Sequence, residues 1–347
     1  MKIRTSLRPA RPRAVLGVVL AASAALALTA CSSGASASSD TVPSASLQLN
    51  YLENVQFAGS LVAEDKGYYS KNGVKVSLIA GGPNLSVEPV VAGGKALVGI
   101  THTATAVNAI NNGAGLTIIG AGYQKNPFCI VSLAGKPITK PSDLIGKKIG
   151  VSATNLPVWN AFLKANDIAP SKVTVVTIDF DPTPLATGEV DGFVAFYTNE
   201  PTILEEKGIK VSTMLLNDFG YPLLEDVYVA RTADLKNPTK RAQIVDLMKG
   251  EAQGWKEAVS DPNLSADLAV NKYGKDLKLS MTQQVSQATK QNDLVVSPTT
   301  QQHGLFWMSD ADIQKTIGSL KLGGSDAKAS MFSDEILKDV YSGTSSK

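Results

Sequence analysis

The chain has 347 residues, 44% apolar and 18% charged, a balance typical of a globular protein with room for two domains or one bilobed fold. Lys and Arg number 33 against 31 Asp and Glu, but five of the bases precede residue 14. Without them 28 bases face 31 acids, a net charge of −3, which excludes a nucleic-acid footprint. Two cysteines, Cys31 and Cys129, and two histidines, His102 and His303, leave no CxxC pair, no disulfide framework and no HExxH motif. A protein without metal or cofactor is expected.

The basic segment from Lys2 to Arg13 and the apolar run from Ala14 to Ala30 read as a secretory signal over residues 1–30. The run ends Leu28-Thr29-Ala30-Cys31, which resembles a bacterial lipobox, with Cys31 as the lipidated residue. A Ser-rich tether follows over 31–46. The other thiol, Cys129, sits in Pro127-Phe128-Cys129-Ile130-Val131 and reads as a small buried hydrophobe.

After the tether, strands and helices alternate. Leu47, Leu49 and Tyr51 give a first strand, and Asn54 caps a helix carrying Val55, Ala58, Leu61 and Val62. Val74, Val76 and Leu78 form the next strand. A turn at Gly81-Gly82-Pro83 and a short helix to Gly93-Gly94 follow. Then come a strand over 96–100, a helix over 103–112 and a strand over 116–121. Further strands are predicted near 148–151, 173–178, 192–196 and 227–230, with helices near 157–166 and 199–207. From Pro238 to about Val340 the pattern is helical. Alternation over this length predicts parallel sheets covered by helices.

One internal echo supports two similar lobes. Gly94–Ile100 precedes Thr101-His102-Thr103, and Gly188–Val194 precedes Ala195-Phe196-Tyr197. In each, a helix stops at glycine and a short strand ends in polar or aromatic residues. Ligands of open α/β sheets bind beyond the carboxyl ends of the strands.

Several segments carry a resemblance to a known family. They are Asn54-Val55-Gln56-Phe57-Ala58 with Ala63–Tyr69, Pro141–Gly150, Gly188–Gly192, Tyr197-Thr198-Asn199-Glu200-Pro201, Tyr123–Pro127 and Asp218–Tyr221. Together they resemble the solute-binding proteins of ABC importers that take thiamine-pyrimidine precursors, riboflavin and aliphatic sulfonates. The resemblance covers about residues 47–235. It implies an α/β, two-lobed periplasmic-binding-protein type II fold with a ligand cleft between the lobes. The first lobe is expected over 47–132 and 228–342, and the second over 133–227. It also implies an extracytoplasmic monomer held by a lipid anchor, whose partners are a small-molecule ligand and an ABC permease with its cytoplasmic ATPase.

The expected ligand residues are Asn54, Gln56, Phe57, Thr101, His102, Tyr123, Gln124, Trp159, Tyr197, Asn199 and Glu200. Asn54 also suits an N-cap, and Gln56 and Phe57 point either to the cleft or to a core. His102 also suits a loop position, Trp159 is either a stacking platform or a core anchor, and Glu200 also suits a helix start. Tyr197, Asn199 and Glu200 are the strongest set, because an aromatic face with a carboxamide and a carboxylate suits a planar heterocycle. Sulfonate, taurine or nitrate is the alternative ligand class. Such anions need a pocket of N–H, hydroxyl and arginine donors, yet no arginine lies between Arg13 and Arg231. A pyrimidine-synthase-like enzyme is a further rival. The chain lacks that branch's cysteine-rich segment and shows no nucleophile elbow or phosphate loop, so a non-enzyme is expected.

Overall fold

The computed structural model describes residues 42–82, 85–179 and 181–342. The expected signal and the expected lipidation site Cys31 lie outside the described residues. Ten strands fall into two five-stranded sheets. The first contains β1 (Ser44–Gln48), β2 (Lys75–Ile79), β3 (Val98–Thr101), β4 (Leu116–Tyr123) and β10 (Glu225–Arg231), in the order β2-β1-β3-β10-β4. The second contains β5 (Phe128–Leu133), β6 (Lys148–Val151), β7 (Thr174–Thr177), β8 (Gly192–Phe196) and β9 (Val211–Leu215), in the order β7-β6-β8-β5-β9. The fold is mixed α/β, as expected.

The sheets repeat one pattern. β3 and β8, the strands of the sequence echo, each stand third in order. Gly94 (φ 73°) and Gly188 (φ 77°) precede them in the left-handed conformation that glycine adopts without steric cost.

The sheets are not purely parallel. β10 runs antiparallel to β3 and β4, and β5 runs antiparallel to β8 and β9. Each sheet takes in one strand that the chain makes as it crosses from the other. The sequence reading has neither β5 nor β9. β5 is buried on both faces, with Ile130 in one apolar cluster and Cys129 and Val131 in another, so it lacks the alternation that marks a half-buried strand. The pairing of β5 also moves the first crossing from the expected 132/133 to the segment between Tyr123 and Phe128. The return crossing ends at Glu225 rather than at 228. β1 starts at Ser44, inside the expected tether, and ends before Tyr51.

Buried Asn126 ties the two crossings together. Its Nδ2 donates to the Tyr221 carbonyl at 2.8 Å, and its backbone N–H donates to Asn217 Oδ1 at 3.2 Å. Two segments that carry the family resemblance are therefore neighbours in space.

The C-terminal region is helical, as predicted, and its helices are capped in series. Asn237, Asp261, Ser280, Ser297 and Ser309 each accept a first-turn backbone N–H. Most of them pack in the first-sheet core, and two also reach the second sheet's helices. Helix Met281–Val295 holds the Val55 backbone through Gln284 (3.1 Å) and Gln291 (2.7 Å). It also reaches helix Glu200–Glu206 through Lys290 and Glu205 at 2.7 Å. Helix Asp310–Leu322 packs on helix Leu156–Ala165. No helix among the described residues is long and apolar enough to cross a membrane.

The first-sheet core contains one fully buried acid. Glu251 accepts from Ser60 Oγ (3.0 Å), Tyr228 Oη (2.6 Å) and Tyr69 Oη. Three donors offset its desolvation, as a buried carboxyl requires. Beside it, helices Ala58–Asp65 and Pro238–Ser260 meet backbone to backbone. A Cβ added at Gly254 would stand 2.1 Å from the Gly59 carbonyl oxygen. Gly254→Ala is expected to lower stability by roughly 1–3 kcal/mol through overpacking, measured as a reduced urea midpoint with an unchanged m-value.

Candidate functional site

The carboxyl ends of β1, β3 and β4 and the amino end of β10 form one edge of the first sheet. Antiparallel pairing therefore places Glu225 and Asp226 beside Thr101 and His102. Asp226 is 4% exposed and has φ 48°, a conformation that costs a non-glycine residue roughly 1–3 kcal/mol and that clusters at functional sites. Its two oxygens accept from Asn50 Nδ2 at 3.0 Å and Gln56 Nε2 at 2.9 Å. Burial pushes its carboxyl up to about 6, against the opposing pull of His102 and the two amides. Glu225 is 1% exposed. It pairs with His102 Nδ1 at 2.6 Å and accepts the Thr103 N–H at 3.2 Å. Thr101 Oγ1 donates to buried Glu88 at 2.5 Å.

His102 keeps nearly half of its side chain exposed. Desolvation opposes its charge, but the Glu225 hydrogen bond and the charges of Glu225, Asp226 and Glu88 outweigh that effect and push its pKa up to about 9. The edge thus holds three buried carboxyl groups around one imidazole.

The matching edge of the second sheet is the turn from β8 into helix Glu200–Glu206. Glu200 is buried and closes this turn. It accepts the Phe196 N–H at 2.8 Å and Asn199 Nδ2 at 3.3 Å. Tyr197 is half-buried, donates its N–H to the Pro127 carbonyl at 2.8 Å, and has Lys290 Nζ 5.7 Å from its ring centroid. Asn199 Oδ1 faces Gln283 Nε2 at 3.5 Å. The two edges approach where the Tyr123 and Phe196 rings lie 6.3 Å apart.

The expected site residues therefore separate into groups. Gln56, Thr101 and His102 gather at the first edge, and Tyr197, Asn199 and Glu200 at the second. Asn54 is the N-cap, accepting the Gln56 N–H at 2.8 Å, and positions Gln56 as it does so. Tyr123 is fully buried, with its hydroxyl donating to Gln291 at 3.2 Å. Gln124 anchors the first crossing, with its N–H on the Leu294 carbonyl at 2.6 Å.

Two residues go to cores instead of the cleft. Phe57 is 1% exposed in the first-sheet core and Trp159 is 1% exposed in the second. Each lies on the face its short helix turns toward a sheet, and burying that ring against the sheet outweighs any exposure to the cleft. Glu200 directs its oxygens to the Phe196 N–H and the Asn199 amide of its own turn. The sequence reading missed Asn50, Glu88, Glu225 and Asp226. A usable signal existed: two adjacent acids open an otherwise apolar strand.

Comparison with known proteins agrees with this fold. The NMT1/THI5-like family model matches residues 54–265. A riboflavin-binding protein, RibY, of Chloroflexus aurantiacus is 23% identical over 66% of this chain and 66% of its own length. A formylaminopyrimidine-binding protein of Halalkalibacterium halodurans is 20% identical over 59% of this chain and 63% of its own length. The matched stretch is thus just under two-thirds of either relative. The periplasmic aliphatic sulphonate-binding protein SsuA of Escherichia coli superposes with a TM-score of 0.63 at 15% identity, over 80% of this chain and 86% of that one. It shares the two-lobed fold.

Glu200 makes the turn sensitive to pH. Burial pushes its carboxyl up to about 7, while hydrogen bonds from the Phe196 N–H, its own N–H and Asn199 act in the opposite direction. The folded state therefore holds this proton more tightly than the unfolded chain does. Its stabilising contribution is complete below about pH 4.5 and is lost as pH rises through 7. The full swing is about 3 kcal/mol. Glu200→Gln removes the titration, so its stability relative to wild type is expected to increase from pH 5 to pH 8 in urea denaturation.

Proposed function

Because the chain belongs to the NMT1/THI5-like family, we propose that it is the solute-binding protein of an ABC importer. In this reading it is lipid-anchored on the extracytoplasmic face and captures a small planar heteroaromatic vitamin or vitamin precursor. The observation that carries the ligand class is the pairing of the two edges. On one side lie the half-buried ring of Tyr197 and the carboxamide of Asn199. On the other lie the amide of Gln56, His102 and two buried carboxyl groups. This set offers a face for stacking and in-plane groups for ring nitrogens and amino groups.

It is a poor set for an anion, since three carboxyl groups at the first edge repel one and no arginine lies between Arg13 and Arg231. The names of the riboflavin and formylaminopyrimidine binders support the heterocycle reading. Closure of two lobes on a solute, about crossings tied by Asn126, follows the general hinge scheme of ligand-driven domain closure.

A thermal-shift screen of vitamins, pyrimidine precursors, taurine and nitrate tests the ligand class. The cognate compound at a hundredfold excess over its Kd is expected to add about 2.7 kcal/mol of stability. Tyr197→Ala is expected to lose roughly 1 kcal/mol or more of binding energy in calorimetry, with little dependence on salt. Tight, salt-sensitive binding of taurine or nitrate, unaffected by Tyr197→Ala, would replace the heterocycle with the anion class.

The anchor has its own test. Cys31→Ser is expected to leave unlipidated protein that moves from the detergent phase to the aqueous phase on phase partitioning. Unchanged partitioning would remove the anchor.

A further inference from the structure

We propose that His102, Glu225 and Asp226 form a binding site for a divalent transition-metal ion of the zinc class, at the first-sheet edge of the cleft. Each residue offers one ligand atom, and the three atoms lie within 4.8 Å of one another. An imidazole nitrogen with two carboxylate oxygens is a donor set that zinc accepts, with a fourth position left open for water or a solute atom.

The groups that hold these side chains match what a metal site requires. Asn50 and Gln56 donate to the two oxygens of Asp226, and the Thr103 N–H donates to the Glu225 oxygen that does not face His102. Hydrogen bonds of this kind orient the ligands and favour the deprotonated carboxylates that bind metal. Both carboxyl groups are already desolvated by the fold, so a cation that enters meets little water to displace from them. Neither makes an ion pair with lysine or arginine among the described residues. The exposed half of the imidazole supplies the access route.

The chemistry of entry is a simple exchange. The proton shared between Nδ1 and Glu225 leaves to solvent, and the lone pairs of Nδ1 and Oε1 pass to the metal. Metal–ligand lengths of about 2.0–2.2 Å in tetrahedral geometry need a nitrogen–oxygen separation of about 3.3 Å. The present separation is 2.6 Å, so the half-exposed ring has to withdraw by less than about 1 Å. Sequence spacing concealed this set, because His102 and Glu225 are 123 residues apart.

Zinc titrated into untagged, ligand-free protein tests the site, read by calorimetry and by metal analysis after dialysis. One zinc per chain is expected. His102→Gln preserves a donor for Glu225, and Glu225→Gln preserves an acceptor. Each is expected to weaken zinc binding at least tenfold while circular dichroism stays native. His303→Gln is the control. His303 is the only other histidine and stacks on Trp307 with ring centroids 5.0 Å apart, so its loss is expected to leave zinc affinity unchanged. Zinc affinity equal to wild type in folded His102→Gln would overturn the site, as would the absence of one-to-one binding at micromolar zinc. Preference for magnesium over zinc would overturn the metal class. The titration contains no solute, so its outcome is separate from that of the ligand screen.

Discussion

β10 enters the first sheet against the direction of β3 and β4, and the candidate site depends on that reversal. In a purely parallel sheet every strand would present its carboxyl end to the cleft. Here β10 presents its amino end, and the residues found there are Glu225 and Asp226. The remainder of β10 makes that placement rigid. Val227 and Val229 pack into one core while Tyr228 and Ala230 pack into the other. A one-residue slip would exchange those faces, so the register that buries the valines also sets where the acids stand.

The second sheet uses the same construction with the opposite crossing. β5 is its antiparallel strand, and its residues continue directly from the first crossing. Asn126 joins the two crossings, so strands that belong to different sheets begin from one hydrogen-bonded junction. One C-terminal helix then spans the junction. Helix Met281–Val295 touches Val55 on one side and Asn199 and Glu205 on the other. The side chains that combine at the cleft thus come from loops of low sequence proximity held by a well-packed frame, the usual arrangement for binding sites on rigid scaffolds.

The two cleft edges differ in what holds them. At the second edge, Glu200 turns inward and accepts the Phe196 N–H of its own turn, while the Tyr197 side chain stays half-buried. At the first edge, amides from Asn50 and Gln56 hold Asp226 in a strained backbone conformation, and His102 is the only cation paired with Glu225 among the described residues. This polar network is largely desolvated and only partly neutralised, with one imidazole against two carboxyl groups. That imbalance sets this edge apart from the Glu251 cluster, where three donors surround one acid.

Local features were legible from the sequence because their causes are local. Caps, glycine stops and apolar periodicity located the helices, Asn54 among them, and the echo at Gly94 and Gly188 located two equivalent strands. The family resemblance in the Asn-Glu-Pro turn and in the two crossing segments announced the two-lobed fold. What only the tertiary structure decided is pairing. β5 carries no period of its own, since a strand buried on both faces shows none, and β9 is a partly exposed edge strand defined by its pairing with β5. Phe57 and Trp159 read equally as cleft or core until a sheet was present to cover them. Glu225 and Asp226 are ordinary acids in the chain and become a site only when an antiparallel strand brings them to His102. Direction and register of strand pairing depend on contacts between residues far apart in sequence, so no local pattern encodes them.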